Sequence, residues 1–227
     1  MKIHKKIIFG WTVVLSFLLF SCELDNYDGP DASIHGTFLD VETGEPVGMD
    51  IINGPQIQYV EHGYEIPQNQ YMVIKTDGTY RNNLMFSGTY TISSLNTNFV
   101  PFEPFELEIN GDTQHDFIVQ PYIRIKEVTI QKNANKIVGK FKIYPTVQSK
   151  VRVIGLFGHP NSSVGTQLRT LANQQNISQS VQPGQEFTLE LDIPANLSGK
   201  KMFFRIGAKI DIDPTRWNYA PPVVIDL

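Results

Sequence analysis

The segment Ile34-His35-Gly36-Thr37-Phe38-Leu39-Asp40 is followed after one residue by Glu42-Thr43-Gly44-Glu45-Pro46. Apolar and polar residues alternate through the first segment, which is the two-residue period of a half-buried β-strand. In the second segment Gly44 can adopt a positive φ and Pro46 restarts an extended backbone. Together they predict a folded region that begins near residue 32 with a strand and continues into a tight turn.

The whole composition favours the same fold class. The chain has 14 Phe and 9 Tyr among many Ile, Val and Thr residues, and 17 Gly and 14 Pro punctuate them. These residue types are typical of strands and turns, and no window carries a long apolar stripe with a 3.6-residue period. We therefore predict an all-β protein of one large or two small domains.

Residues 32–120 are predicted to form the first domain, a β-sandwich. The dipeptides Asp77-Gly78 and Asn110-Gly111 are typical of hairpin turns. A polar loop over residues 61–70 separates two of the predicted strands.

Residues 121–227 are predicted to form a second β-sandwich, because Pro121 cannot donate to a sheet and marks a boundary. About seven strands without a cysteine pair suggest a fibronectin-type-III or immunoglobulin-like sandwich. Residues 202–208 are predicted to form a buried strand. Residues 158–180 form a long polar segment, and a short helix is predicted over residues 166–174.

The N-terminus has the three parts of a secretory signal over residues 1–21. Three lysines precede the apolar run Ile7–Phe20, and Leu19-Phe20-Ser21-Cys22 resembles a bacterial lipobox. We predict cleavage before Cys22, which is the only cysteine, and attachment of lipid to its sulfur. A transmembrane anchor and an ordinary signal peptide remain as alternatives, although 14 apolar residues span only about 21 Å of a membrane core about 30 Å thick. Residues 22–31 would then form an acidic tether.

Charge and motifs exclude several functions. Removal of residues 1–21 takes three of the 19 basic residues and no acid, which leaves 16 basic against 23 acidic residues and a formal charge of −7. Nucleic-acid binding is therefore not expected. The sequence has no zinc spacing, nucleophile elbow, P-loop or dinucleotide fingerprint. We predict a protein without a cofactor, a metal or catalytic residues, and therefore not an enzyme. The best calcium candidate is Asp211-Ile212-Asp213, for which an ordinary turn is the simpler interpretation.

Aromatic residues give the better indication of function, since flat exposed rings suit the C–H faces of sugars. Trp217 and Tyr219 before the last strand, and Tyr64 and Tyr59 around the loop of the first domain, are the candidate carbohydrate-binding residues. Each could instead belong to a sandwich core, which needs many aromatic side chains. The phenylalanines between residues 99 and 105 are predicted to seal the first core.

Several motifs carry a family resemblance. Residues 36–40, Thr43-Gly44-Glu45-Pro46, Thr76-Asp77-Gly78-Thr79-Tyr80 and Gly88-Thr89-Tyr90-Thr91-Ile92 occur in the order seen in the carboxypeptidase-regulatory-like, transthyretin-related sandwich. With Phe99-Val100-Pro101 and Pro121-Tyr122-Ile123-Arg124-Ile125, the mature chain resembles a Bacteroidetes lipoprotein family of unknown function. The N- and C-terminal parts of that family are named separately.

The resemblance implies a lipid-anchored outer-membrane protein at the cell surface, because the acidic tether is similar to the surface-export signal of that group. It also implies proximity to uptake systems of the SusC/SusD type. The predicted function is non-catalytic capture of polysaccharide or oligosaccharide. The alternative is a structural subunit that binds a neighbouring transporter or lipoprotein and never contacts sugar.

Overall fold

A computed structural model describes residues 28–227. The predicted signal peptide and the lipidation site Cys22 lie outside the described residues. No helix within residues 28–227 is long and apolar enough to cross a membrane.

The first domain contains eight strands: β1 (Ala32–Asp40), β2 (Gln56–Glu61), β3 (Asn69–Val73), β4 (Thr79–Met85), β5 (Gly88–Leu95), β6 (Phe105–Ile109), β7 (Asp112–Gln114) and β8 (Phe117–Val119). One sheet has the order β4-β1-β7, and β8 also pairs with β1. The other sheet has the order β3-β2-β5-β6. Their facing side chains share one core, so the domain is a two-layer sandwich.

The second domain contains another eight strands: β9 (Ile123–Asn133), β10 (Lys136–Pro145), β11 (Val151–His159), β12 (Leu171–Gln179), β13 (Gln185–Asp192), β14 (Lys201–Ile210), β15 (Asn218–Tyr219) and β16 (Val223–Asp226). A three-stranded sheet β13-β10-β9 faces a five-stranded sheet in which β12, β11, β14 and β15 are neighbours and β16 also pairs with β14. The predicted all-β fold with two sandwich domains is confirmed.

The opening segment forms the predicted strand and turn. The burial of β1 alternates along its whole length, with Ile34 and Phe38 fully buried. Gly44 has a φ of 70° in the turn that follows, and its N–H donates to the carbonyl of Asp40. Strand β1 pairs with β4, β7 and β8, so it is the central strand of its sheet.

Both dipeptides predicted to close hairpins instead connect the two sheets. Asp77-Gly78 lies between β3 and β4, and Asn110-Gly111 lies between β6 and β7. Gly78 and Gly111 do adopt positive φ, so the turn chemistry is as predicted. The prediction that the flanking strands pair with each other was wrong. A turn dipeptide determines only the local chain reversal, whereas the burial of the next strand decides which sheet that strand joins.

The predicted helix over residues 166–174 was also wrong. Residues 171–179 form β12, an edge strand that pairs with β11. All of its side chains are exposed or half-buried, so it lacks the apolar alternation that identifies a strand.

Polar contacts join the two domains. Arg124 binds Asp40 through two hydrogen bonds of 2.6 and 2.7 Å, and both side chains are largely buried. Asn98 donates to the carbonyl of Trp217 at 3.0 Å, and Asn218 donates to the carbonyl of Asn98 at 2.8 Å. Buried partners of this kind fix one geometry, because separating them would leave polar groups without hydrogen bonds.

Candidate functional site

A cavity of about 330 Å³ opens at one end of the first domain, where both sheets contribute to its wall. We call it the Tyr64 cavity. It is lined by Tyr59, Glu61, Tyr64, Ile66, Gln68, Gln70, Leu84, Met85, Phe86 and Tyr90.

The rim of the cavity comes from two loops. The loop between β2 and β3 contains Gly63, whose φ of 99° allows a sharp change of direction that carries Tyr64 away from the sheet. Tyr64 and Ile66 are 59% and 75% exposed. On the opposite side, Phe86 stands in the connection from β4 to β5 and is 41% exposed. Exposed aromatic and aliphatic side chains therefore face the same opening.

The floor of the cavity is rigid. Tyr59 and Tyr90 are buried, with ring centroids 6.1 Å apart at 57°. The Tyr90 hydroxyl donates to the carbonyl of Phe86 at 2.8 Å, and Asn82 donates to the Tyr59 hydroxyl at 3.2 Å. The Tyr59 oxygen thus accepts one bond and can still donate its own proton.

Polar groups of the cavity converge on the same space. The amides of Gln68 and Gln70 are exposed, and Glu61 is half-buried at the end of β2. Burial raises the pKa of the Tyr90 hydroxyl to about 12, and the nearby carboxylate of Glu61 adds to the effect. Burial and Glu61 raise the pKa of Tyr59 as well, against the lowering effect of Asn82. The cavity combines apolar rims, amide donors and acceptors, and one negative charge.

The structure separates the four predicted aromatic residues into two pairs. Tyr59 and Tyr64 both line the Tyr64 cavity, but Tyr59 is 7% exposed and belongs to its floor. Tyr219 is 6% exposed and Trp217 is half-buried, both at the domain junction. For Tyr59 and Tyr219 the structure favours the alternative of a core position, because each ring is covered by its own domain core or by the junction.

A second cavity of about 600 Å³ lies between the domains, beside Arg124 and Arg205. The two arginine side chains beside it already have hydrogen-bond partners. Arg124 binds Asp40 and Glu42, and Arg205 donates to backbone carbonyls. These contacts hold the domains together, so the two arginines of this cavity already serve the junction.

The Asp211-Ile212-Asp213 turn is held by an arginine. Arg152 donates to Asp211 at 2.6 Å and to both oxygens of Asp213 at 3.0 and 2.9 Å. Within the described part of the chain, no group of three or more His, Cys, Asp or Glu side chains is placed to hold a metal ion.

Sequence reasoning missed most of the rim and the polar groups: Glu61, Ile66, Gln68, Gln70, Leu84 and Phe86. The available signal was the polar loop of residues 61–70 with an aromatic and an aliphatic residue inside it. Phe86 and Leu84 come from a distant segment, and only the crossover between the two sheets brings them to the loop.

Solved structures with the same fold come from Bacteroides uniformis and Parabacteroides merdae. A protein from Bacteroides uniformis, described as a "putative carbohydrate binding protein", shares 39% identity with a TM-score of 0.81; the match covers 88% of this chain and 100% of that chain. A DUF3823 family protein from the same species shares 22% identity with a TM-score of 0.76, covering 87% and 100% of the two chains. A DUF3823 family protein from Parabacteroides merdae shares 20% identity with a TM-score of 0.75, covering 88% and 100%.

None of these relatives is described as an enzyme, which agrees with the prediction of a non-catalytic protein. Comparison with curated proteins gives no match. Residues 32–120 match the N-terminal domain of the protein family of unknown function DUF3823, and residues 123–224 match its C-terminal domain. The chain therefore belongs to the DUF3823 family.

Proposed function

We propose that the protein is a non-catalytic carbohydrate-binding lipoprotein whose sugar site is the Tyr64 cavity. The observation that carries the proposal is the pair of exposed aromatic residues, Tyr64 and Phe86, on the rim of a cavity that also presents the amides of Gln68 and Gln70. The description of the relative that is 39% identical supports the same ligand class.

The arrangement suits the chemistry of a sugar. Pyranose rings have apolar C–H faces, which pack on aromatic rings, and hydroxyls around their edges, which need donors and acceptors. Tyr64 and Phe86 supply the first kind of contact. The second kind of contact comes from the amides of Gln68 and Gln70 and from the Tyr59 hydroxyl, whose O–H can still donate a hydrogen bond.

The position of the cavity fits capture of sugar close to a membrane. Asp31 accepts a hydrogen bond from Ser87 N at 2.7 Å, and Ala32 pairs with Met85, so the chain enters the first domain beside the cavity. If Cys22 carries lipid, Asp31 follows the anchor by nine residue steps, and a fully extended tether of that length reaches about 30 Å. The cavity would then lie near the outer surface of the outer membrane, within reach of a SusC/SusD-type transporter.

A second function, binding of a neighbouring protein, is favoured by a different observation. Ile66 and Leu84 on the rim are 75% and 76% exposed, and Tyr71 and Val73 on β3 are 48% and 51% exposed. Exposed apolar side chains on the rim and along the adjoining strand β3 are typical of protein interfaces.

Affinity electrophoresis with a panel of soluble plant and microbial polysaccharides tests the proposal. We expect at least one polysaccharide to retard the protein and the Tyr64→Ala variant to lose most of that retardation. Tyr71→Ala is the matched control, since Tyr71 is similarly exposed but lies outside the cavity lining. No retardation on any polysaccharide, together with recovery of a transporter subunit in a pull-down, would favour protein binding instead.

Lipid anchoring at the membrane is tested separately. We expect Cys22→Ala to move the protein from the membrane fraction to the soluble fraction. A Cys22→Ala protein that stays in the membrane would contradict lipid anchoring and leave the sugar site unaffected.

A further inference from the structure

We infer that the Tyr64 cavity selects uncharged sugars and rejects acidic ones such as uronates and sulfated sugars; this rests on the proposed function. The observation is the charge of the lining. Of the ten described residues that line the cavity, one is an acid, Glu61, and none is Lys, Arg or His.

Glu61 lies where it can act on a bound ligand. It ends β2 two residues after Tyr59, so the two side chains project from the same face of the strand. Its carboxylate also influences the hydroxyls of Tyr59 and Tyr90 on the floor. A ligand that contacts the floor would therefore meet the negative potential of Glu61 at close range.

Nearby cationic groups are engaged outside the cavity. Arg81, on β4, donates to Asn83 at 2.6 Å and to Asp112 at 3.2 Å. His62, which follows Glu61 in the chain, bonds to the hydroxyl of Thr91 at 2.7 Å through its Nε2. Neither residue lines the cavity, so neither is placed to neutralise an acidic ligand.

The described residues before β1 add negative charge. Residues 28–31 include Asp28 and Asp31 and contain no Lys or Arg. Asp31 itself is bonded to Ser87 beside the rim residue Phe86. An anionic polysaccharide would approach a surface of the same sign, which lowers both its local concentration and its affinity.

Hydrogen bonding favours the same class of ligand. A carboxylate only accepts hydrogen bonds, so Glu61 can bind two neighbouring sugar hydroxyls that each donate to it. A uronate or sulfate group at that position would place its oxygens, which only accept hydrogen bonds, next to the Glu61 carboxylate, which also only accepts. It would also bury two negative charges together. Neutral hexose or pentose polymers supply hydroxyl donors without that repulsion.

The test compares a neutral polysaccharide that retards the protein with the same polymer after oxidation of its primary hydroxyls to carboxylates. We expect the dissociation constant for the oxidised polymer to be at least about threefold higher at 20 mM NaCl, with a smaller ratio at 500 mM NaCl because salt screens the repulsion. Glu61→Gln should reduce the ratio at low salt. The matched control is Glu65→Gln, which removes one charge from the same loop at a residue outside the lining and should leave the ratio nearly unchanged.

Each outcome is decisive. Equal binding of both polymers, tighter binding of the oxidised polymer, or a ratio that Glu61→Gln does not change would overturn selection by Glu61 while leaving the sugar site in place. If the protein retains no neutral or acidic polysaccharide, the proposed function and this inference both fail.

Discussion

The guanidinium of Arg205 lies 4.4 Å from the centroid of the Tyr219 ring, and the pair occupies the junction between the two domains. Arg205 is 1% exposed and donates to the carbonyls of Met49 and Thr76 in the first domain and of Ala220 in the second, at 2.8–2.9 Å. Burial lowers its pKa to about 10, so it remains charged at neutral pH. One buried cation thus satisfies backbone acceptors on both sides of the junction.

Replacing Arg205 should weaken the junction strongly. Arg205→Met retains much of the side-chain volume but removes the guanidinium hydrogen bonds to the carbonyls of Met49, Thr76, Val164 and Ala220, so we expect a loss of about 3–5 kcal/mol in the free energy of unfolding. Urea denaturation followed by tryptophan fluorescence measures it. Arg81→Met, at an exposed position, should cost less than about 1 kcal/mol. Similar values for the two variants would mean that Arg205 contributes little to stability.

Asp50 predicts a pH dependence of stability. Its Oδ2 accepts from the Tyr219 hydroxyl at 2.6 Å and from the Thr166 hydroxyl at 2.7 Å. Burial nevertheless raises its pKa in the folded protein above the ordinary value of 3.8. A raised pKa favours folding fully below the unfolded value, and this stabilisation is lost as the pH rises through the folded pKa. The stability of the wild type minus that of Asp50→Asn should therefore fall as the pH rises above 3.8.

The stability of the wild type minus that of Asp40→Asn should change with pH in the opposite direction and rise as the pH rises. Burial disfavours the charged form of Asp40, but the hydrogen bonds from Arg124 and from the backbone N–H of Glu42, together with the charge of Arg124, outweigh burial and lower its pKa below 3.8. The stabilisation from Asp40 is then present above the unfolded pKa and is lost as the pH falls through the folded pKa. Urea unfolding of both variants at several pH values checks the two signs. Parallel pH profiles would show that one of the two carboxyls has been assigned the wrong ionisation.

Replacing Gly36 tests how closely the central strand β1 approaches the backbone of His115. A Cβ at this position would overlap the backbone oxygen of His115, which already accepts from the Tyr80 hydroxyl at 2.6 Å. We expect Gly36→Ala to cost about 1–3 kcal/mol and to lower the melting temperature by several degrees. Gly29→Ala is the control, because nothing lies within 4 Å of its added Cβ. Equal melting temperatures for the two variants would contradict the close approach of the backbones.

The fold was largely predictable because buried strands leave a signal in the sequence. Burial alternates with a period of two along β1 and is nearly continuous along β14, and apolar residues in the sequence follow both patterns. Strand β12 was not predictable, since an edge strand with no fully buried side chain has no periodic signal.

The candidate site was less predictable than the fold. Tyr64 could be found because it is an aromatic residue in a polar loop. Phe86 could not be linked to it, because the pairing of β4 with β1 rather than β3 decides where Phe86 lies. The choice between core and surface for Tyr219 needs the same long-range information, since its hydroxyl bonds to Asp50, a residue 169 positions away.

Tyr64 and Trp217 should give opposite results when each is changed to alanine. Trp217 packs edge-on against Phe157 at a centroid distance of 5.4 Å and stacks on Tyr219 at 6.1 Å, so removing its ring should cost about 2–4 kcal/mol. Trp217 does not line the Tyr64 cavity. Folded Trp217→Ala protein should therefore still be retarded by the polysaccharide that binds the wild type.

Tyr64→Ala should keep its stability and lose its binding to polysaccharide. Because the ring is 59% exposed, we expect a stability change below about 0.5 kcal/mol together with loss of polysaccharide retardation. Affinity electrophoresis and urea denaturation on the same samples measure both quantities. If Trp217→Ala remains folded but loses retardation while Tyr64→Ala keeps it, the sugar site lies at the domain junction, and the larger cavity beside Arg124 becomes its location.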